Sequence, residues 1–342
     1  MSRARVPLHI PGVPAPTAAD APICLVHLVR AANRAETFRR FAGALRRCAP
    51  GVQYELVLAL KGFSEEREAA PYLAEVRDLN PEVLFFPDTG FDLGVYFAAA
   101  SRLGRSRYCF LNSFAEPLAE GWLAHLETAL ALSDVGMASA TGSWNSPRSW
   151  ALYSLGLPSP YRGLMPSRGS AREQFAQLDA EREPSVAGAS AGAVAGPSRV
   201  AGALLRLPRA AVAAVRAMPM QLREFESFPA HHLRTNAFAM AHSTLAELKL
   251  HRVIEKSDAY VLESGRDSLT RQVQRRGLRA VVVDRAGGIY DQDEWHRSLT
   301  FWQRSQEGLM VADNQTRSYQ RGGPERRQML STMAWGPSAD AG

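Results

Sequence analysis

The sequence predicts an α/β fold built on a mostly parallel central sheet, and three observations carry that prediction. From Pro22 to Ser139, short apolar runs alternate with longer stretches of helical period. Strands separated by helices do not pair as hairpins, so they run parallel and both faces of their sheet are covered. A chain of 342 residues with 46% hydrophobic content has ample apolar material for one large domain.

The elements follow in order. Residues 1–21 carry Arg3 and Arg5, then Pro7, Pro11, Pro14 and Pro16, which preclude the continuous apolar helix of a signal peptide. They read as a disordered tail. Ile23 to Leu28 is a buried strand, and Glu36 to Cys48 a helix with its basic residues on the wet face. Tyr54 to Leu60 and Glu82 to Phe86 are the next strands, with the helical stretch Glu65 to Asp78 between them. A helix over Asp92 to Arg102, a strand over Tyr108 to Leu111, a helix over Gly121 to Leu132 and a strand over Val135 to Ser139 complete the first half. Such a half is a nucleotide-binding type of α/β unit.

Periodicity then fades between Ser143 and Glu183 into Pro, Gly, Ser and the aromatic residues Trp144, Trp150, Tyr153 and Tyr161. Ser185 to Ser198 is low in complexity and reads as a linker or lid, or as a small-residue turn. Beyond it, Ala203 to Leu207 and Asn236 to Ala241 have the pattern of strands, and Ala210 to Met218 that of a helix. Ala259 to Leu262 reads as a strand that ends in Glu263; Ser264 caps the helix that follows, and Gly277 ends it before the strand Ala280 to Val283. The aromatics of Trp295 to Tyr319 fall mostly at helical spacings and read as core, with Asp313 to Thr316 either capping or turning the chain or lining an acceptor groove. Asp291, Asp293 and Glu294 form a surface helix start.

Composition narrows the function. Lys and Arg number 40 against 34 Asp and Glu, for a formal charge of +6; with no basic motif of nucleic-acid type, this mild excess suits a small anionic ligand or an anionic bilayer surface. Cys24, Cys48 and Cys109 are scattered without metal-ligand spacing, which suits a reducing compartment and argues against zinc. The apolar run from Val200 to Met220 is broken by Arg206, Pro208, Arg209 and Arg216, so the chain reads as soluble or peripheral.

Four segments carry candidate chemistry. In Pro87-Asp88-Thr89-Gly90-Phe91-Asp92-Leu93-Gly94, the glycines permit close backbone approach, and Asp92 either accepts bonds from a ribose or caps the helix. Asn112 and Ser113 end the fourth strand, either beside a ligand or closing a turn. His232-Leu233-Arg234-Thr235-Asn236 groups an arginine suited to phosphate with an amide suited to sugar hydroxyls; the pair His231 and His232 reads as a partly exposed loop. Leu262 to Gly277 places the carboxylate of Glu263 at a strand-to-helix junction.

This order of segments resembles the family 2, GT-A-type glycosyltransferases over Pro22 to Asp284, and the G-x-D-x-G core of the glycine turn is similar to rhamnan synthesis protein F. The resemblance implies a GT-A-like Rossmann-type sandwich over residues 22–290, with a nucleotide-sugar half (22–142), an acceptor half (143–290) and a carboxyl-terminal helical extension (291–342). It implies transfer of a sugar, with inversion, from a nucleotide-diphosphate donor to a glycan or lipid-linked glycan in surface polysaccharide or lipopolysaccharide synthesis. Glu263 is then the base, with Asp267 in reserve. Asp88, Gly90, Asp92, Asn112, Ser113 and Arg234 face the donor, and Trp144 and Asn236 the acceptor. The family's aspartate-any-aspartate metal motif is replaced by the neutral Asn112 and Ser113. Either Glu116 supplies a ligand for Mn or Mg, or arginines and helix amino ends balance the diphosphate without metal. Loss of donor catalysis, leaving a GT-A-like nucleotide-sugar or glycan-binding protein, is the alternative. The location implied is cytoplasmic, with peripheral contact at the inner membrane face.

Overall fold

The computed structural model describes residues 7–8, 21–165 and 220–340. After a two-residue strand β1 (Pro7–Leu8), the first half alternates as expected: β2 (Ile23–Arg30), α1 (Ala35–Arg47), β3 (Tyr54–Lys61), α2 (Glu66–Glu75), β4 (Glu82–Phe86), α3 (Phe91–Leu103) and β5 (Arg107–Leu111). There follow β6 (Glu116–Pro117), α4 (Trp122–Leu130), β7 (Val135–Ser139), β8 (Gly142–Ser143) and α5 (Pro147–Leu155). The later part contains β9 (His232–Leu233), β10 (Ala237–Ala241), α6 (His242–Glu247), β11 (Leu250–His251), α7 (Lys256–Ser264), α8 (Leu269–Gln274), β12 (Arg279–Val283) and β13 (Ile289–Tyr290). It closes with β14 (Val311–Ala312), α9 (Asn314–Arg321) and α10 (Pro324–Trp335).

The main sheet has eight strands in the order β13-β12-β7-β10-β5-β2-β3-β4. β2 pairs in parallel with β3 and β5, β3 with β4, and β12 with β7. β10 runs antiparallel to both of its neighbours, β5 and β7, and β13 antiparallel to β12. Thus β2, β3, β4, β5, β7 and β12 share one direction, and their carboxyl ends lie along one edge. Register places Arg30 beside Lys61 and Lys61 beside Phe86 on that edge.

Alternation along β2 divides the core between the two faces. Cys24, Val26 and Leu28 pack with Tyr96, Phe97 and Leu103 of α3, whereas Ile23, Leu25 and Val29 pack with Phe38, Phe41 and Leu45 of α1 and Trp122 and Leu126 of α4. Period two in the strands, met by period 3.6 in the helices, makes the sandwich.

Several expectations change. Ala259 to Leu262 is part of α7 and not a strand: Glu255 and Asp258 form a reciprocal capping box that starts a helix, and Val261, Leu262 and Ser264 are buried along one side of it. Ser264 is therefore the last residue of α7, and Ser268 is the cap of α8, accepting a bond from the Arg271 amide. Glu263 sits in a helical last turn, not at a strand end. Within residues 143–165 the loop holds α5, started by Pro147 and the Ser146 side chain. Part of the tail is paired, since β1 lies antiparallel to β11. The segment assigned to a carboxyl-terminal extension is integral to the fold: β14 pairs with β6, and Met329, Leu330 and Trp335 of α10 share the α3-side core. The linker over Ser185 to Ser198, the strand over Ala203 to Leu207 and the helix over Ala210 to Met218 lie outside the described residues.

Candidate active site

Two groupings of polar residues lie at the carboxyl edge of the parallel strands, the place where open α/β sheets bind ligands. The first forms where β2, β3 and β4 end. Arg30 donates from Nε and Nη2 to the two Asp88 oxygens at 3.1 and 3.0 Å, and Lys61 Nζ stands 3.5 Å from Asp88 Oδ1. The Arg30 bond holds the Asp88 carboxyl below the usual carboxylate range. Burial pulls the Lys61 amine down, against the charges of Asp92 and Asp88.

Asp92, in the first turn of α3, is half-buried, and its carboxylate receives no hydrogen bond from the described residues. Burial raises its pKa, with Glu263 adding to the rise and Lys61 opposing it. It does not cap the helix: Gly90 does, at φ 80°, where a side chain would be strained. The glycine turn packs on the chain's own loop before α7: a Cβ on Gly90 would stand 3.6 Å from the Val253 carbonyl oxygen and one on Gly94 3.5 Å from Val253 Cβ, ordinary contact distances, so it is the positive φ of Gly90 that calls for glycine.

The second grouping is a cavity of about 310 Å³ between β9, α5, α7 and α9. The Trp150, Phe225, Tyr260, Phe301 and Trp302 side chains give it apolar walls, and Glu263, His232, Arg234, Arg317 and Arg321 give it charge. Glu263 is half-buried and fixed by Thr235, whose amide and hydroxyl donate to Oε1 at 2.9 and 3.1 Å. Arg234 is buried: Nη2 donates to Asp313 Oδ2 at 2.7 Å and Nη1 to Thr141 Oγ1 at 3.4 Å, with the guanidinium 4.0 Å from the Phe301 ring centre. The charge expected to meet a phosphate is met by Asp313, which also caps α9 through the Thr316 amide. Burial raises the Asp313 carboxyl, but Arg234 and the Thr316 amide together bring it below its usual range. His232 is also buried, not on an exposed loop, and burial lowers its pKa against the pull of Glu263.

Other predicted positions fall outside the cavity. Asp267 is exposed and paired with Arg275. Trp144 packs against Trp335, His231 and His296 as part of the core. Asn236 is buried, accepting from the Thr141 hydroxyl at 2.7 Å through Oδ1 and from the Asn112 amide at 2.9 Å through its carbonyl oxygen. Asn112 closes a turn by accepting from the Phe114 amide at 3.0 Å, and Ser113 accepts from Asn33 at 2.8 Å.

A divalent cation between diphosphate and protein does not fit these residues. Asn112 and Ser113 are neutral and engaged in the turn, and Glu116 is held by Arg317 at 3.2 Å and Arg47 at 3.7 Å. Among the described residues, no group of three His, Cys, Asp or Glu side chains is placed to hold a metal ion. No helix among them is long and apolar enough to cross a membrane. Sequence reading missed Arg30, Lys61, Thr235, Arg317 and Arg321. A charge ending an apolar strand was the signal for the first two, while the α9 arginines gave none, because only tertiary packing brings α9 to the cavity.

No family model and no curated protein matches the chain. Among solved structures, the chain is similar to a mannosyltransferase from Pyrobaculum calidifontis in complex with GDP-mannose and Mn2+, with 14% identity over 39% of this chain and 42% of that one, at a TM-score of 0.30. It is similar to the bifunctional glycosyltransferase WbbM (11% identity, 73% of this chain, 39% of that one, TM-score 0.34). Core-mannan synthase A from Aspergillus fumigatus, in its Mn/GDP form, is a third (10% identity, 78% and 67%, TM-score 0.30). The chain spans about two-fifths of the length of the first two. Likeness of this extent carries no weight for the chemistry.

Proposed function

We propose that the chain is a GT-A-type glycosyltransferase that moves a sugar from a nucleotide-diphosphate donor to a glycan hydroxyl, with inversion. The observation that carries this reading is the Glu263 carboxylate. It is fixed at Oε1 by Thr235, faces an aromatic-walled cavity of sugar size at the carboxyl edge of the sheet, and has Oε2 without a bond from the described residues. In the reaction, the acceptor oxygen attacks the anomeric carbon as the bond from that carbon to the diphosphate oxygen breaks. The acceptor proton passes to Glu263 Oε2, and the nucleoside diphosphate leaves. Asp92 takes ribose hydroxyls beside Lys61 and Arg30. Arg321 at the cavity wall offsets the diphosphate charge in place of a cation. The acceptor is a glycan or lipid-linked glycan of a surface polysaccharide or lipopolysaccharide, reached from the cytoplasm or the inner membrane face.

A second reading, a nucleotide-sugar or glycan-binding protein without turnover, is favoured by the neutral turn at Asn112 and Ser113. A thermal-shift screen against nucleotide-diphosphate sugars, with and without excess chelator, tests the first step common to both. At least one of them is expected to raise the melting temperature equally in the two conditions. No shift across the panel removes both donor readings, and a shift abolished by chelator returns Glu116 as a cation ligand.

A further inference from the structure

The wall that carries Glu263 carries a second, uncommitted hydrogen-bond acceptor. His232 Nδ1 stands 2.8 Å from the Ala230 carbonyl oxygen. A carbonyl only accepts, so Nδ1 bears the ring proton and Nε2 of the neutral imidazole presents a lone pair. No hydrogen bond reaches Nε2 from the described residues, although the residue is 5% exposed and lines the cavity. Burial, with Arg234 and Arg271 acting in the same sense and Glu263 against it, keeps the ring neutral at pH 7.

Glu263 Oε2 and His232 Nε2 are each open to a donor from a bound molecule. Arg234, which also lines the cavity, is spent on Asp313 and Thr141. What completes the wall is a molecule with two O–H donors.

Resting on the transferase reading above, we propose that this wall is a two-hydroxyl subsite for a pyranose acceptor with vicinal hydroxyls. One hydroxyl donates to Glu263 Oε2 and is the one that reacts; its neighbour donates to His232 Nε2. His232 is then the residue that positions the acceptor ring and selects which hydroxyl meets the base.

The full chain is titrated calorimetrically with methyl pyranosides of the common hexoses and 6-deoxyhexoses and with their monodeoxy analogues. The parent protein is expected to bind at least one glycoside and to lose about three- to tenfold in affinity when one vicinal hydroxyl is absent, the value of one neutral hydrogen bond. His232→Asn, which keeps an amide near Ala230 and places nothing at Nε2, should show the same loss with the full glycoside and none beyond it with the deoxy analogue. His232→Gln, with an amide oxygen able to reach the Nε2 position, should recover part of it. Unchanged affinity in His232→Asn, losses that add, or parent protein that binds no glycoside or ignores every deoxygenation, each overturns the subsite. If His232→Asn does not fold, the deoxy series on the parent still decides. Glycoside binding through His232 with no nucleotide sugar bound would keep the subsite and refute the transferase; nucleotide-sugar turnover indifferent to His232 would do the reverse.

Discussion

Replacing Arg234 with Leu separates a structural arginine from a donor-binding one. The guanidinium is 6% exposed, bonded to Asp313, itself fully buried, and laid over Phe301. Removing it leaves the Asp313 carboxylate with the Thr316 amide and only the weaker charge of Arg317, and breaking a buried pair from one side costs about 3–5 kcal/mol. Lost packing on Phe301 lies within that range and is not added to it. Arg234→Leu should therefore lower the unfolding free energy in urea by about 3–5 kcal/mol, and adding Asp313→Asn should return much of that loss because no unpaired charge remains. Nucleotide affinity of the folded fraction, measured below the transition, should stay near the parent value. An unchanged urea midpoint together with lost nucleotide affinity would refute the structural assignment and give Arg234 back to the diphosphate.

Two other substitutions give sharp outcomes. Asp92→Ala should weaken nucleotide binding by about 1.5–3 kcal/mol, the value of a charged hydrogen bond. Because Gly90 and not Asp92 caps α3, the melting temperature should hardly move; early melting at full affinity would make the residue structural. His27 is wholly buried, stacked on Phe41 at 3.6 Å, and burial takes its pKa down to about 3. The unfolded chain binds this proton near pH 6.5 and the folded one does not, so stability falls as pH drops from there towards 3. By linkage the loss is roughly 2 kcal/mol between pH 7 and pH 5. His27→Phe should flatten that part of the stability curve, and an unaltered slope in the variant would place the acid sensitivity elsewhere.

The first half of the fold was legible because each element there follows its own period. β2 is apolar but for the buried His27 up to Arg30, and α1 carries Arg46 and Arg47 in its wet last turn. The second half was less so. Ala259 to Leu262 is apolar and β-like taken alone, and the capping box that makes it helical begins at Glu255, outside the window that suggested a strand. Glu263 still falls on the cavity wall, because a carboxylate after an apolar run borders the core in either conformation. Arg234 and Trp144 were singled out for their chemistry. Their partners, Asp313 and Trp335, are far along the chain, and no local pattern announces a contact of that separation. The reverse error hid Arg317 and Arg321, whose helix reads as an ordinary basic surface until its packing over the cavity is known.

Turnover in Glu263→Gln tests the central claim most directly. The replacement is nearly isosteric, and its amide oxygen can still accept the Thr235 bonds that hold Oε1. Folding and nucleotide-sugar affinity should therefore stay close to the parent, while transfer, followed as nucleotide diphosphate release, should fall by roughly two to four orders of magnitude, the usual contribution of a general base. Asp267→Asn, which removes only an exposed pair with Arg275, should leave transfer nearly intact. Parent-level transfer in Glu263→Gln, with collapse in Asp267→Asn, would contradict the assignment of the base to the cavity carboxylate.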